Sequence, residues 1–309
     1  MKIVFIGSGD IGIPVLEWLA SAPGVDLAGV VTQPDRPAGR GLQLRPCAIK
    51  ERALAGGLTV LQPSRIRAPE ALKAIEALRP DLLVVMAYGQ ILPQELLDLP
   101  QFGALNLHAS LLPRHRGAAP VHAAVLAGDR ESGLTVMWMD AGLDTGDILL
   151  QRTCAVEETD TAGVLHDRLA SMAPAALAEA LDLIRSGKAP HLKQDGNLAT
   201  YSPKLDRSSG RIDWRGTAGE IVRLVRGLHP WPGCTAEFEL AGGKRLAVKI
   251  HRAEAVEGSV SAGALAFPLD VGCGGGGLVR ILELQPAGGK KLTAAEFARG
   301  YHAVRVVTD

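Results

Sequence analysis

The sequence predicts a doubly wound α/β domain with a mostly parallel sheet, followed by a small β-barrel domain. Three observations predict it. Short apolar runs alternate with amphipathic stretches over roughly the first two hundred residues. Near residue 206 the pattern changes to short β-like runs separated by glycines. The length of 309 residues, 47% of them apolar, suits one large domain and one small one better than a single core.

Each element follows from its local pattern. KIVFIG (2–7) is a buried-strand run, IPVLEWLAS (13–21) a helix, DLAGVVT (26–32) a second strand and PEALKAIEALR (69–79) a helix with apolar spacing near 3.6. DLLVVMAYG (81–89) and ALNLH (104–108) read as strands, 118–126 as a helix, LTVMWM (134–139) as an alternating strand and 161–185 as a long helix. Continuous apolar strands separated by helices imply a parallel sheet covered on both faces, with chemistry at the strand C-termini. The polar, Gly-, Pro- and Ser-containing stretch that follows reads as a linker. The expected division is a catalytic domain at 1–188, a linker at 189–206 and a β domain at 207–309. In the last, AEFEL, KRLAVKIH, LVRILEL and HAVRVV are separated by glycines, including GCGGGG at 272–277, which predicts a small antiparallel barrel or sandwich.

Charge and cysteine content narrow the class. Lys plus Arg equals Asp plus Glu at 33 each, which excludes a polycation and a disordered acidic tail. The balance is uneven along the chain: residues 205–309 hold 14 basic and 11 acidic side chains, residues 1–204 hold 19 and 22. A polyanion partner would meet a mildly basic C-terminal part. With only twelve aromatics and no stacking cluster, a non-catalytic RNA-binding module is disfavoured. Cys47, Cys154, Cys234 and Cys273 are scattered, as expected in a reducing compartment. The opening apolar run is too short for a signal peptide, and the charge-free runs 82–94 and 99–113 fall short of the ~20 residues of a membrane span. A cytoplasmic monomer is expected.

Three motifs carry the chemistry. GSGDIG (7–12) follows a strand and precedes a helix, as a Rossmann dinucleotide fingerprint would. The second strand, however, ends in Thr32, Gln33 and Pro34 rather than the acid that holds a ribose, so a tight strand-to-helix turn competes with an NAD(P)-dependent oxidoreductase. QPDRPAGRGLQLRP (33–46) is long for a connection in an α/β unit. Its prolines and glycines discourage regular structure, and Arg36, Arg40 and Arg45 oppose only Asp35. Such a loop suits phosphates or a splayed nucleic-acid end.

The third motif spans 103–148. Asn106 and His108 are two apart at a strand end, so they share a face, and DAGLDTGD after the next strand carries Asp140, Asp144 and Asp147. Acyl transfer to an amine needs donors for a carbonyl oxygen gaining charge and a group that takes the nitrogen's proton. An amide, an imidazole and a carboxylate supply these. No Ser or Cys stands in a nucleophile-elbow setting, which favours direct amine attack over a covalent intermediate. His108, His115 and His122, spaced by seven in a segment broken by Pro and Gly, share no face for a metal.

NLHASLLPRHRGAAP with DAGLDTGD, preceded by QPDRPAGRG and followed by YSPKL, GRIDW and HPWPG, resembles the methionyl-tRNA formyltransferase family over nearly the whole chain. The resemblance implies formyl transfer from 10-formyltetrahydrofolate to initiator methionyl-tRNA, with no metal. It places catalysis on Asn106, His108 and Asp144. Folate binding falls on Ser110, Leu111, Leu112 and Pro113, with Tyr88, Gly89, Gln90, Ile91 and Leu92 lining the pterin pocket. Recognition of tRNA falls on Arg36, Arg40 and Arg45 and on an OB-like C-terminal domain. A related formyltransferase acting on a small amine, such as a nucleotide-linked amino sugar, is the alternative within the same chemistry.

Overall fold

The computed structural model describes residues 1–38, 41–266 and 268–308. Arg40, one of the three arginines singled out above, lies outside them. The chain divides into two compact units, the first formed by 1–120, 131–155 and 166–203, the second by 121–130, 156–165 and 204–309.

The first unit holds a seven-stranded sheet made of β1 (Lys2–Gly7), β2 (Asp26–Val31), β3 (Val60–Leu61), β4 (Leu82–Met86), β5 (Ala104–His108), β6 (Glu131–Trp138) and β7 (Ile148–Ala155). The spatial order is β7-β6-β5-β4-β1-β2-β3. The five strands from β3 to β5 run parallel, while β6 is antiparallel to both β5 and β7. Helices α1 (Ile13–Leu19), α2 (Ala48–Ala55), α3 (Pro69–Glu76) and α4 (Gln94–Leu97) separate its strands; α5 (Pro120–Ala127) falls almost wholly in the second unit, and α6 (Ala162–Arg185) lies in the first from His166 on. Ile3, Val4, Phe5 and Ile6 of β1 are all fully buried, as a central strand covered on both faces requires. This is the doubly wound class with its order reversing between β1 and β4.

Several expectations are corrected. The strand read as alternating is buried along Ser132–Met137, because it is flanked by strands and covered on both faces. Within 33–46, the described residues Arg36–Ala38 pair antiparallel with Gln43–Arg45, where an irregular loop was expected. Pro37 sits in an edge ladder, where its missing N–H costs nothing. Asp35 does not offset the arginines: it accepts from Lys50 at 2.8 Å and from Gln62 at 2.9 Å. The glycines of GSGDIG have a packing cause. A Cβ on Gly7 would lie 2.7 Å from the Met86 carbonyl, and one on Gly9 2.8 Å from the Ala87 side chain. The tight-turn reading accounts for them.

The second unit is an antiparallel sheet of β8 (Cys234–Leu240), β9 (Arg245–Val256), β10 (Leu265–Ala266), β11 (Asp270–Gly272), β12 (Leu278–Pro286), β13 (Leu292–Thr293) and β14 (Ala303–Val306), with helices α7 (Ala218–Gly227) and α8 (Ala294–Gly300). The helices were not anticipated; both open with a capping box, Thr217 with Glu220 and Thr293 with Glu296. The order β10-β11-β12-β9-β8-β14 is open where a closed barrel was expected. Among the described residues its two ends meet at the bridge Ala264 to Arg305. Trp214, Phe238 and Phe297 fill the core between helices and sheet. No helix among the described residues is long and apolar enough to cross a membrane.

Candidate active site

Strand alternation turns Asn106 and His108 to the same face of β5. The 140–147 loop, which joins β6 to β7, brings Asp144 to both. Asp144 Oδ1 accepts from Asn106 Nδ2 at 3.3 Å and lies 3.6 Å from His108 Nδ1. Its Oδ2 accepts from the backbone N–H of Gly117 at 2.8 Å. The His108 and Asp144 side chains are only 6% and 13% exposed, so their electrostatic effect on a nearby charge exceeds its value in water. The other ring nitrogen of His108 lies 2.9 Å from the His115 carbonyl. A carbonyl can only accept, so Nε2 carries the hydrogen and Nδ1 faces the carboxylate.

Of the three aspartates in the loop, only Asp144 enters the site. Asp140 folds back to accept from the Gly142 N–H and the Thr145 hydroxyl, shaping the turn. Asp147 pairs with Lys193 at 2.9 Å and faces His191, which stacks on Trp138. Asp144 itself sits at φ +53°, and Ala87 and His115, in the loops after β4 and β5, lie at +50° and +58°. Left-handed backbone costs a non-glycine residue roughly 1–2 kcal/mol, and here it recurs in three loops at one edge of the sheet.

The 110–113 turn is fastened from below. Thr135 donates to the Ser110 carbonyl at 2.7 Å and accepts from the Leu112 N–H at 3.0 Å. Gln151 donates to the Leu112 carbonyl. Ser110 is fully buried and its hydroxyl donates to the Arg114 carbonyl, so its side chain shapes the turn and does not present itself to a ligand. Leu112 is buried, while Leu111 and Pro113 are partly exposed. In the 88–92 loop, Gly89 takes φ +83° and Ile91 is exposed. Gln90 accepts from the Ile66 N–H, and Leu92 is buried. Tyr88 is buried with no partner for its hydroxyl, and burial pushes its phenol up to about 12. Arg36 and Arg45 stand opposite each other in the hairpin register and are both exposed. Arg36 donates to Gln33. No group of three metal-ligating side chains occurs among the described residues.

Sequence reasoning missed the segment 190–202, which composition marked as a linker. It lies along the site. Gln194 reaches the Asp144 loop, and the carbonyl of Thr200 and that of Ser202 accept from the N–H groups of Arg116 and Ala118. Residues 201–202 pair with Arg116–Gly117 as a short parallel ladder. The YSPKL motif was the one local signal that this stretch had a structural task.

The chain matches two family models, described as "Formyl transferase" over residues 1–181 and "Formyl transferase, C-terminal domain" over residues 204–302. Curated relatives named methionyl-tRNA formyltransferase include one from Geotalea uraniireducens, 45% identical across 97% of this chain and 95% of that protein. Another, from Pseudomonas entomophila, is 46% identical across 96% and 94%. Among solved structures, WlaRD, a sugar 3N-formyl transferase, has a TM-score of 0.66 at 17% identity, covering 91% of this chain and 97% of that one. HypX from Aquifex aeolicus, in complex with tetrahydrofolic acid, has 0.59 at 19% identity, covering 96% and 46%.

Proposed function

The chain belongs to the formyl transferase family, within the group of methionyl-tRNA formyltransferases, and from that premise we propose that it moves the formyl group of 10-formyltetrahydrofolate to the α-amino group of methionyl initiator tRNA. The convergence of Asn106, His108 and Asp144 carries this reading. The amine attacks the formyl carbon, a C–N bond forms and the carbonyl oxygen becomes an oxyanion. Asn106 has a second amide hydrogen beyond the one given to Asp144, and protonated His108 offers Nδ1–H; the two stabilise that oxygen. Asp144, 3.6 Å from Nδ1 and outside hydrogen-bond reach of it, leaves that N–H to the oxyanion and takes the proton lost by the amine, directly or through water. The C–N bond between the formyl carbon and the tetrahydrofolate nitrogen then breaks, that nitrogen taking the proton held by Asp144, and the carbonyl reforms.

Donor binding is assigned to the 110–113 turn and to Tyr88, Gly89, Gln90, Ile91 and Leu92, mainly through backbone groups, since the polar side chains of Ser110 and Gln90 are engaged within the protein. Acceptor recognition is assigned to Arg36, Arg40 and Arg45 and to residues 207–309 beyond the 189–206 linker. Like charges opposite each other destabilise a hairpin, and Asp35 is engaged by Lys50. A phosphate between Arg36 and Arg45 would relieve the repulsion. A formylation assay with 10-formyltetrahydrofolate tests the whole: formyl-methionyl-tRNA is expected. Transfer to a nucleotide-linked amino sugar with charged tRNA left unformylated would overturn it.

A further inference from the structure

We propose that Gln194 is a positioning residue for Asp144, fixing the carboxylate through its backbone. The inference rests on Asp144 acting in catalysis as proposed above. The Gln194 amide is fully used. Its Nε2 donates to the Asp144 carbonyl at 2.9 Å and to the Gly146 carbonyl at 2.7 Å. Its Oε1 accepts from Arg116 Nε at 3.1 Å and Nη2 at 2.7 Å. Carbonyls only accept and guanidinium only donates, so one orientation of the amide satisfies all four bonds.

This arrangement gives Asp144 two anchors from consecutive residues. Gly117 holds the carboxylate by its N–H, and Arg116, 6% exposed, holds the backbone through Gln194. The loop needs such restraint because Asp144 occupies the left-handed region at φ +53°, from which an aspartate tends to relax. The clasp ties it to the strand that also supplies the Gly117 donor. Loss of the clasp therefore moves the carboxylate relative to Asn106 and His108 without removing any group that meets substrate.

Gln194→Leu shortens the side chain by one atom and removes all four bonds. Gln194→Glu retains pairing with Arg116 but sets a carboxylate oxygen against two carbonyls, so it isolates the clasp on Asp144 and guards against misfolding of the first variant. Both are expected to lower kcat about tenfold to a hundredfold, the scale of a misplacement near 1 Å, with KM for donor and tRNA within about twofold of the parent. In an Asp144→Ala background the Gln194→Leu penalty should vanish, because a residue that acts through another has nothing left to act on. Full activity of Gln194→Glu, or an undiminished penalty in the double variant, would overturn the inference. Full activity of Asp144→Ala alone would instead reject the catalytic reading on which it rests.

Discussion

His108 gives its Nε2–H to the carbonyl of His115 at 2.9 Å, and this single bond decides which ring nitrogen faces the carboxylate. With Nε2 occupied, Nδ1 is the nitrogen directed at Asp144. The acceptor is a main-chain group held by the left-handed turn at His115, φ +58°, whose N–H donates to the Thr200 hydroxyl. The ring is thus oriented by backbone at Nε2, with Nδ1 beside the carboxylate at 3.6 Å and not bonded to it.

Removing that ring should cost transition-state stabilisation and little else. His108→Ala is expected to lower kcat about 100- to 1,000-fold with the fold intact by circular dichroism. Steady-state formylation kinetics check it, and activity within tenfold of the parent would reject the assignment.

Thr135 offers a separate test of the donor pocket proposed at the 110–113 turn. It is fully buried and pairs in register with His108, and its hydroxyl joins Ser110 to Leu112. Thr135→Val keeps the shape but leaves the Leu112 N–H unsatisfied, a loss of about 1–3 kcal/mol. KM for 10-formyltetrahydrofolate should rise while KM for methionyl-tRNA stays constant. An unchanged donor KM counts against placing folate on the 110–113 turn.

Gly146 tests whether the loop geometry is obligatory. A Cβ there would lie 1.8 Å from the Trp138 carbonyl, so backbone must move. Gly146→Ala should reduce kcat by at least about tenfold and lower Tm by a few degrees. Parent-like turnover would show that the loop need not hold its present path.

Arg45 tests the acceptor binding proposed for the hairpin. Arg45→Ala should raise KM for methionyl-tRNA, flatten the salt dependence by about one phosphate contact and leave donor KM unchanged. Identical salt profiles for parent and variant would remove the hairpin from tRNA recognition.

The motif GSGDIG contributes to stability through Asp10. Its carboxylate accepts from His166 of α6 at 3.2 Å; this bond raises the His166 pKa above its ordinary 6.5 and lowers that of Asp10 below 3.8. A raised histidine pKa stabilises the fold fully below pH 6.5, and the contribution disappears as pH rises through the folded value. Because Asp10 is largely exposed, the pair is worth about 0.5 kcal/mol. Urea unfolding should show His166→Gln less stable than the parent by that amount at about pH 5.5, where the parent imidazole is charged, and equal to it at alkaline pH. A gap independent of pH would exclude the ion pair as its source.

Much of the fold was legible because local patterns determine it. Apolar periodicity marked β1, β2, β4 and β5 and helices α1, α3 and α6, and the two-residue spacing of Asn106 and His108 placed both on one face. The motifs also identified the family. The open C-terminal sheet, α7 and α8 and the hairpin at 36–45 were not legible. Glycine and proline content suggests irregularity, whereas long-range hydrogen bonds decide whether such a segment pairs.

By itself the amino-acid sequence determined the doubly wound class and the chemical types available at its edge. Tertiary structure alone decided which of three aspartates meets the imidazole and which imidazole nitrogen faces it. It also decided that residues 190–202 belong to the site, since Gln194 bonds to Arg116 across 78 positions and to Asp144 across 50. Periodicity reports only which face a residue takes on its own element. Bonds between distant segments depend on how the elements pack, and no local pattern contains that information.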